Sequence, residues 1–255
     1  MSPVEITWLG QSGYAIRAPG GETCLLDPYL SEYVKEELGV PRVAPIVLDP
    51  ASAVANVLVA THWHPDHLDR RTCVPLALGN PGLTFVGPPS NTSRLSGWGV
   101  APERIRPLER GDSLTVGAFT FHATFARHDV PGWLAEDAIG VVVEVGGVRI
   151  FHSGDTEYDS RVLAARALGP LDVGLFVTNG SGGNMNALEA ALLAHQLAPA
   201  VAIPNHYGMW APEGYGPDAT IDPQMFVDAC ARLGGPPTRV LELGETVEVP
   251  PPGRA

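Results

Sequence analysis

The apolar run Val57-Leu58-Val59-Ala60 leads directly into Thr-His-Trp-His-Pro-Asp-His at residues 61–67. No other stretch restricts the fold as strongly. A continuous apolar run of this length, beginning the segment 56–64, reads as a strand buried on both faces. The next residues do not continue as a helix. Pro65 pushes His64 out of the helical region, and residues two apart do not share a helix face. The segment is therefore a loop leaving the end of a buried strand. In extended backbone alternate side chains point the same way, so His62 and His64 converge on one point. Asp66 and His67, after the turn, face a second point nearby. Three of the chain's eight histidines fall in these seven positions, more than a solvated polar loop requires.

The surrounding pattern supplies a frame. Short strands are expected at 4–10, 14–18 and 23–28, with a short helix over 29–39 closed by Gly39. Further strands are expected at 83–87, 104–109, 113–116, 119–126, 138–145 and 148–154, with a short helix near 90–99. Gly146-Gly147 marks a hairpin between the last two of those strands. Beyond Asp155 helices alternate with strands: helix 159–169, strand 172–178, helix 186–198, strand 200–206, helix 222–234 and a final strand at 239–243. Such alternation implies crossover units in a layered α/β architecture. No repeat, low-complexity tract or linker divides the chain, so one domain over 1–255 is expected, with a loose PPPGRA tail.

Bulk properties narrow the function. No apolar run approaches the ~18 residues of a membrane helix. The N-terminus lacks a basic segment followed by an apolar one, so a cytoplasmic protein without membrane partners is expected. The net charge of −12, with Lys35 the single lysine, disfavours nucleic acid. A small-molecule substrate is expected; a local pocket for an anionic group and assembly into a homo-oligomer are both compatible with the sequence. Cys24, Cys73 and Cys230 are odd in number and far apart, which argues for buried apolar residues rather than disulfides or a zinc knuckle.

Three more segments share one grammar, an apolar strand ending in a ligand-type residue: His128 after 119–126, Asp155 in VRIFHSGD, and His206 in AVAIPNH. Neutral imidazole and carboxylate are the donors that zinc, manganese and iron accept. Among other polar residues, His152 is open between core and site support, whereas His122 and His195 read as structural. Tyr207 and Trp210 are candidate pocket walls. Alternation points Arg127 away from His128. The glycine-rich loop 179–186 is a candidate anion cradle or a plain connection.

The set H-x-H-x-D-H, a later His, SGD and a late His resembles the metallo-β-lactamase superfamily. The likeness runs from WLGQSGYAI to IPNHYGMW. ATHWHPDHLD, GWGVAPERI, FHSGDTEYD and IPNHYGMW are similar to motifs of the L-ascorbate-6-phosphate lactonase-like branch, although that lactonase is longer than this chain. The resemblance implies a four-layer αββα sandwich of two similar halves with the site along one edge. It implies that His62, His64 and His128 bind a first divalent metal and Asp66, His67 and His206 a second, with Asp155 bridging them. Zinc and manganese are the expected ions, with iron also compatible. A metal-bridging hydroxide would attack a lactone or related ester, with Asp66 as the catalytic residue that orients it. Asp27, ending an early strand, is expected to support a ligating imidazole from behind. Two alternatives stand beside this expectation: a phosphodiesterase or nuclease of the same fold, and a non-hydrolytic redox or regulatory metal binder.

Overall fold

Apolar strands fill two sheets laid face to face. The computed structural model describes residues 2–211 and 222–253. The chain begins with strands Val4–Gly10 (β1), Gly13–Arg17 (β2) and Thr23–Leu26 (β3), followed by helix Tyr33–Leu38 (α1). Strand Val57–Val59 (β4), helix Arg70–Gly79 (α2), strand Thr84–Gly87 (β5), helix Pro89–Gly97 (α3) and strand Ile105–Pro107 (β6) come next. The second half holds Ser113–Val116 (β7), Phe119–Phe125 (β8), the ribbon Asp129–Val130 (β9) and Trp133–Leu134 (β10), Ile139–Val145 (β11) and Val148–His152 (β12). It continues through Val173–Val177 (β13), helix Ala187–Leu197 (α4), Val201–Asn205 (β14) and helix Gln224–Leu233 (α5). Thr246–Val249 (β15) then returns to the first sheet.

The two sheets run in the orders β15-β1-β2-β3-β4-β5-β6 and β14-β13-β12-β11-β8-β7. Each has an antiparallel half and a parallel half. In the first, pairing is parallel from β3 to β6; in the second it is parallel from β12 to β14. Every residue of the central parallel strands β4 and β13 is buried, so these are covered on both faces.

Three apolar layers hold the stack together. Ile6, Ile16, Val59, Phe121, Val143 and Leu175 fill the space between the sheets. Leu58, Phe85, Cys73, Leu76 and Leu95 join the first sheet to α2 and α3. Phe176, Leu193, Ala194, Phe226 and Cys230 join the second to α4 and α5. The result is the expected αββα sandwich. The three cysteines are free and buried, one in each layer. No helix among the described residues is long and apolar enough to cross a membrane.

Several expected boundaries move. The strand from residue 56 stops at Val59 because the Asp27 side chain, rather than a neighbouring strand, accepts from the Thr61 amide at 2.7 Å. Helix α2 is absent from the expected elements, since Pro75 lies within it and obscures its pattern; Asp69 caps it by accepting from the Arg71 amide at 2.8 Å. Residues 160–168 form a 3₁₀ helix rather than an α-helix. The final strand is β15, not 239–243: Leu241 is buried in the inter-sheet core, and a turn at Gly244 precedes the ladder. Residues 254 and 255 of the tail lie outside the described residues.

Phe121 is fully buried between the sheets and stacks on Phe119 with ring centroids 6.1 Å apart. Phe121→Ala should lower the unfolding free energy by about 3–5 kcal/mol, read as a shift in urea midpoint at unchanged m-value. A loss under about 1 kcal/mol would contradict this packing.

Candidate metal centre

Strands β3, β4, β8, β12 and β14 end along the same edge, and each is followed there by a polar side chain of the site. Asp27 follows β3, His62 to His67 follow β4, His128 follows β8, Asp155 follows β12 and His206 follows β14. This is the edge where open α/β sheets commonly place ligands.

The loop after β4 is shaped by proline. The His67 amide donates to the His64 carbonyl at 3.0 Å, closing a turn with Pro65 at its second position. His62 and His64 come together with ring centroids 4.5 Å apart. Trp63 leaves on the other side, stacked on Trp133 at 5.2 Å and covered by the Arg94 guanidinium at 4.0 Å. Its indole N–H donates to the Leu134 carbonyl at 2.9 Å, which anchors the loop to the β9–β10 ribbon.

All seven side chains expected at the site converge. His62, His64 and His128 form one group of close donor atoms, and Asp66, His67 and His206 form another, with the atoms of each group within 4.8 Å of one another. Asp155 lies between them: Oδ1 is 3.2 Å from His67 Nε2, and Oδ2 is 3.2 Å from His206 Nε2 and 3.6 Å from His128 Nε2.

Hydrogen bonds behind the rings decide which nitrogen faces inward. His67 Nδ1 donates to Asp27 Oδ2 at 2.9 Å, leaving its Nε2 lone pair for the centre. His64 Nε2 donates to the Trp133 carbonyl at 2.8 Å, leaving Nδ1 inward. Thr61 Oγ1 donates to Asp27 Oδ2 at 2.7 Å and lies 3.2 Å from His62 Nδ1, so it can accept that ring's proton and free Nε2. Asp27 therefore sets the orientation of two imidazoles, one directly and one through Thr61.

Three of the inward atoms lack protein partners. His62 Nε2, His67 Nε2 and Asp155 Oδ1 are buried with no hydrogen bond, although buried polar atoms are ordinarily satisfied. A divalent cation would satisfy them together, and donors limited to nitrogen and oxygen suit zinc, manganese or iron. Electrostatics agree. Burial and mutual repulsion with His67 hold His62 well below its usual pKa, and burial brings His128 down to about 4; both are neutral, as ligation requires. Burial also opposes charge on His206, but Asp155 and Asp66 outweigh it and raise that ring to about 9. The two carboxylates thus favour positive charge at this point.

Backbone strain concentrates here too. Among the described residues, the non-glycine positions in the left-handed region are Gln11, Asp27, Ala198 and His206, and three of these four belong to the site. The turn before Asp155 needs Gly154, at φ +59°, because a Cβ there would lie 2.6 Å from the Ile139 carbonyl.

Other expectations sort themselves by position. His152 is buried beneath the site; it donates to the Ser12 carbonyl at 3.0 Å and accepts from the Gly154 amide at 2.9 Å. It braces the turn before Asp155 rather than facing the centre. Trp210 lines the cavity above the donors, whereas Tyr207 packs on Trp8 at 5.0 Å, away from it. Arg127 is exposed and paired with Asp129 and Glu157. His122 lies on the sheet against Ser113. Of the loop 179–186, Asn179, Ser181, Gly182 and Asn184 border the cavity.

Two supporting residues carry little signal in the sequence. Gln11 donates to Asp66 Oδ2 at 2.8 Å, and Asn184 donates to Asp155 Oδ2 at 2.8 Å. The one sign of Gln11 is its place in the G-Q-S-G turn after an apolar strand; Asn184 lies in the glycine-rich loop 179–186, but nothing singles it out within that loop.

Comparisons agree with this geometry. Residues 5–206 match the beta-lactamase superfamily domain. A UPF0173 metal-dependent hydrolase of Carboxydothermus hydrogenoformans is 28% identical, with 96% of this chain and 99% of that one aligned. A protein of Escherichia fergusonii named a probable L-ascorbate-6-phosphate lactonase is 25% identical over 80% of this chain and 69% of its own. Among solved structures, Igni18, a metallo hydrolase of Ignicoccus hospitalis, superposes with a TM-score of 0.74 at 21% identity, covering 97% of this chain and 98% of that one.

Asp27→Asn should weaken zinc or manganese binding ten- to hundredfold while leaving far-UV circular dichroism unchanged, as measured by competition with a chromogenic chelator. Unaltered affinity would show that Asp27 does not set the rings. By converging motif, sheet topology and matched sequence, the chain belongs to the metallo-β-lactamase superfamily.

Proposed function

We propose that this protein is a metal-dependent hydrolase that holds two divalent ions and cleaves a lactone or related ester. The carrying observation is the convergence of seven buried or half-buried donors, among which His62 Nε2, His67 Nε2 and Asp155 Oδ1 have no hydrogen-bond partner in the protein. The names of its relatives, metal-dependent hydrolase and L-ascorbate-6-phosphate lactonase, support the class and the bond type.

His62, His64 and His128 would hold one ion and Asp66, His67 and His206 the other, with Asp155 reaching both. Zinc or manganese is the proposed pair, with iron third. Bound there, the ions would polarise a carbonyl oxygen and bring the pKa of water down toward about 7. The chain supplies position and proton handling. Gln11 grips Asp66 Oδ2 at 2.8 Å and so fixes the plane of that carboxylate. Oδ1 is proposed to receive the proton released as water adds to the carbonyl carbon. As the ring C–O bond breaks, that proton passes to the departing alkoxide, leaving a carboxylic acid and an alcohol. Asn184 holds Asp155 at 2.8 Å, so the carboxylate between the two groups keeps its orientation.

Purified protein should carry up to two equivalents of metal per chain by elemental analysis. Loaded with zinc or manganese, it should hydrolyse lactones in a panel that also contains thioesters and phosphodiesters. Asp66→Asn should lower kcat by about 10²–10⁴ with the thermal midpoint shifted by only a few degrees. Full turnover in this variant would remove Asp66 from the chemistry; preferential phosphodiester cleavage would redirect the assignment to a nuclease.

A further inference from the structure

We infer that the substrate is an uncharged carbonyl compound carrying an apolar substituent and a hydrogen-bond donor, rather than a phosphorylated one. The inference rests on the hydrolase reading above and specifies the group that lies beyond the scissile bond. A cavity of about 270 Å³ opens over the donor cluster, with His64, Asp66, His128, Asp155 and His206 in its floor.

One wall is apolar, formed by Val34, Leu38 and Val40 from the α1 region, Val130 and Trp133 from the ribbon, and Trp210. Leu38 is 46% exposed, a large aliphatic side chain left open to solvent at this wall. Among the described residues lining the cavity there is no lysine or arginine. Residues 212–221, outside the described structure, contain neither in their sequence. Two basic side chains of this region are engaged within the protein. Arg42 donates to the carbonyls of Tyr29, Ser31, Ala44 and Pro45, and Arg127 pairs with two carboxylates. A phosphate held away from the metals would lose its hydration against apolar side chains without a counter-charge, which is strongly unfavourable.

A second, polar part of the lining makes a positive demand. Asn184 is 8% exposed, and its amide orientation is fixed because Nδ2 must donate to the Asp155 carboxylate. Its Oδ1 is then a buried acceptor without a partner, and so is Oδ1 of Asn179, whose Nδ2 lies 3.1 Å from Ser181 Oγ. Two unpartnered carbonyl oxygens at the edge of a ligand cavity attract an N–H or O–H and repel anionic oxygens. Together the two parts of the lining describe an amphipathic, neutral ligand.

The experiment compares three probes on the metal-loaded full chain: a γ-lactone bearing a hexyl amide substituent, the unsubstituted γ-lactone, and a phosphorylated sugar lactone. The hexyl amide probe should show kcat/KM at least tenfold above the phosphorylated one, mainly through KM. Leu38→Lys should raise KM for the hexyl amide probe severalfold. A phosphorylated probe turned over equally well or better would overturn the inference while leaving the hydrolase reading intact. If no probe were turned over, the hydrolase reading would fail, and fluorescence of Trp133 and Trp210 would decide this one. Saturable quenching by the hexyl amide probe alone supports it; quenching by the phosphorylated probe alone, or by neither, overturns it.

Discussion

The carboxylate of Asp27 is the interaction on which the centre depends. It is fully buried and accepts from the Thr61 amide, the Thr61 hydroxyl and the His67 ring. The first of these ends strand β4 and starts the loop. The second leaves Thr61 Oγ1 able to accept from His62, and the third fixes the tautomer of His67. A lone buried carboxylate is expensive to desolvate, but here three donors surround it, and the histidine it orients faces a site built for cations. The left-handed backbone at Asp27 is part of the same device, because it turns the side chain back toward the loop.

Sheet topology does the rest of the positioning. Parallel strands all release their chains at the same end, so the loops after β3, β4, β12 and β14 crowd together although long stretches of sequence separate them. His128 arrives from an antiparallel strand, β8, and shares the edge because β8 lies two strands from β12 in the same sheet. The floor of the cavity therefore comes from strand ends held by the inter-sheet core. Its walls come from the α1 region, the β9–β10 ribbon and the loop 179–186. Walls and floor are tied together, because Asn184 of the loop holds Asp155 and the Trp133 carbonyl of the ribbon accepts from His64.

Much of this arrangement is legible in the amino-acid sequence. Pro65 and the spacing of His62, His64, Asp66 and His67 fix a loop with paired donors, because proline and side-chain alternation act over a few residues. The strand-end positions of His128, Asp155 and His206 follow from apolar runs of the same local kind. Less local features are hidden. Pro75 masks helix α2, and the last strand is hard to place because 239–243 and 246–249 are both short apolar-containing runs: the first pairs with β14 only through an isolated bridge at Thr238, whereas the second forms a ladder with β1.

The sequence by itself determined the donor types, their strand-end positions and the layered α/β class, since these depend on periodicity and on residues close in the chain. Only the tertiary structure decided which ring nitrogen faces the centre, that Gln11 and Asn184 grip the carboxylates, and that the cavity wall is apolar and free of basic side chains among its described residues. Those properties arise from contacts between segments 29 to 195 residues apart, such as Asn184 with Asp155 or Gln11 with His206. No local pattern encodes such pairs; they exist once two sheets have packed and brought their strand ends to one place.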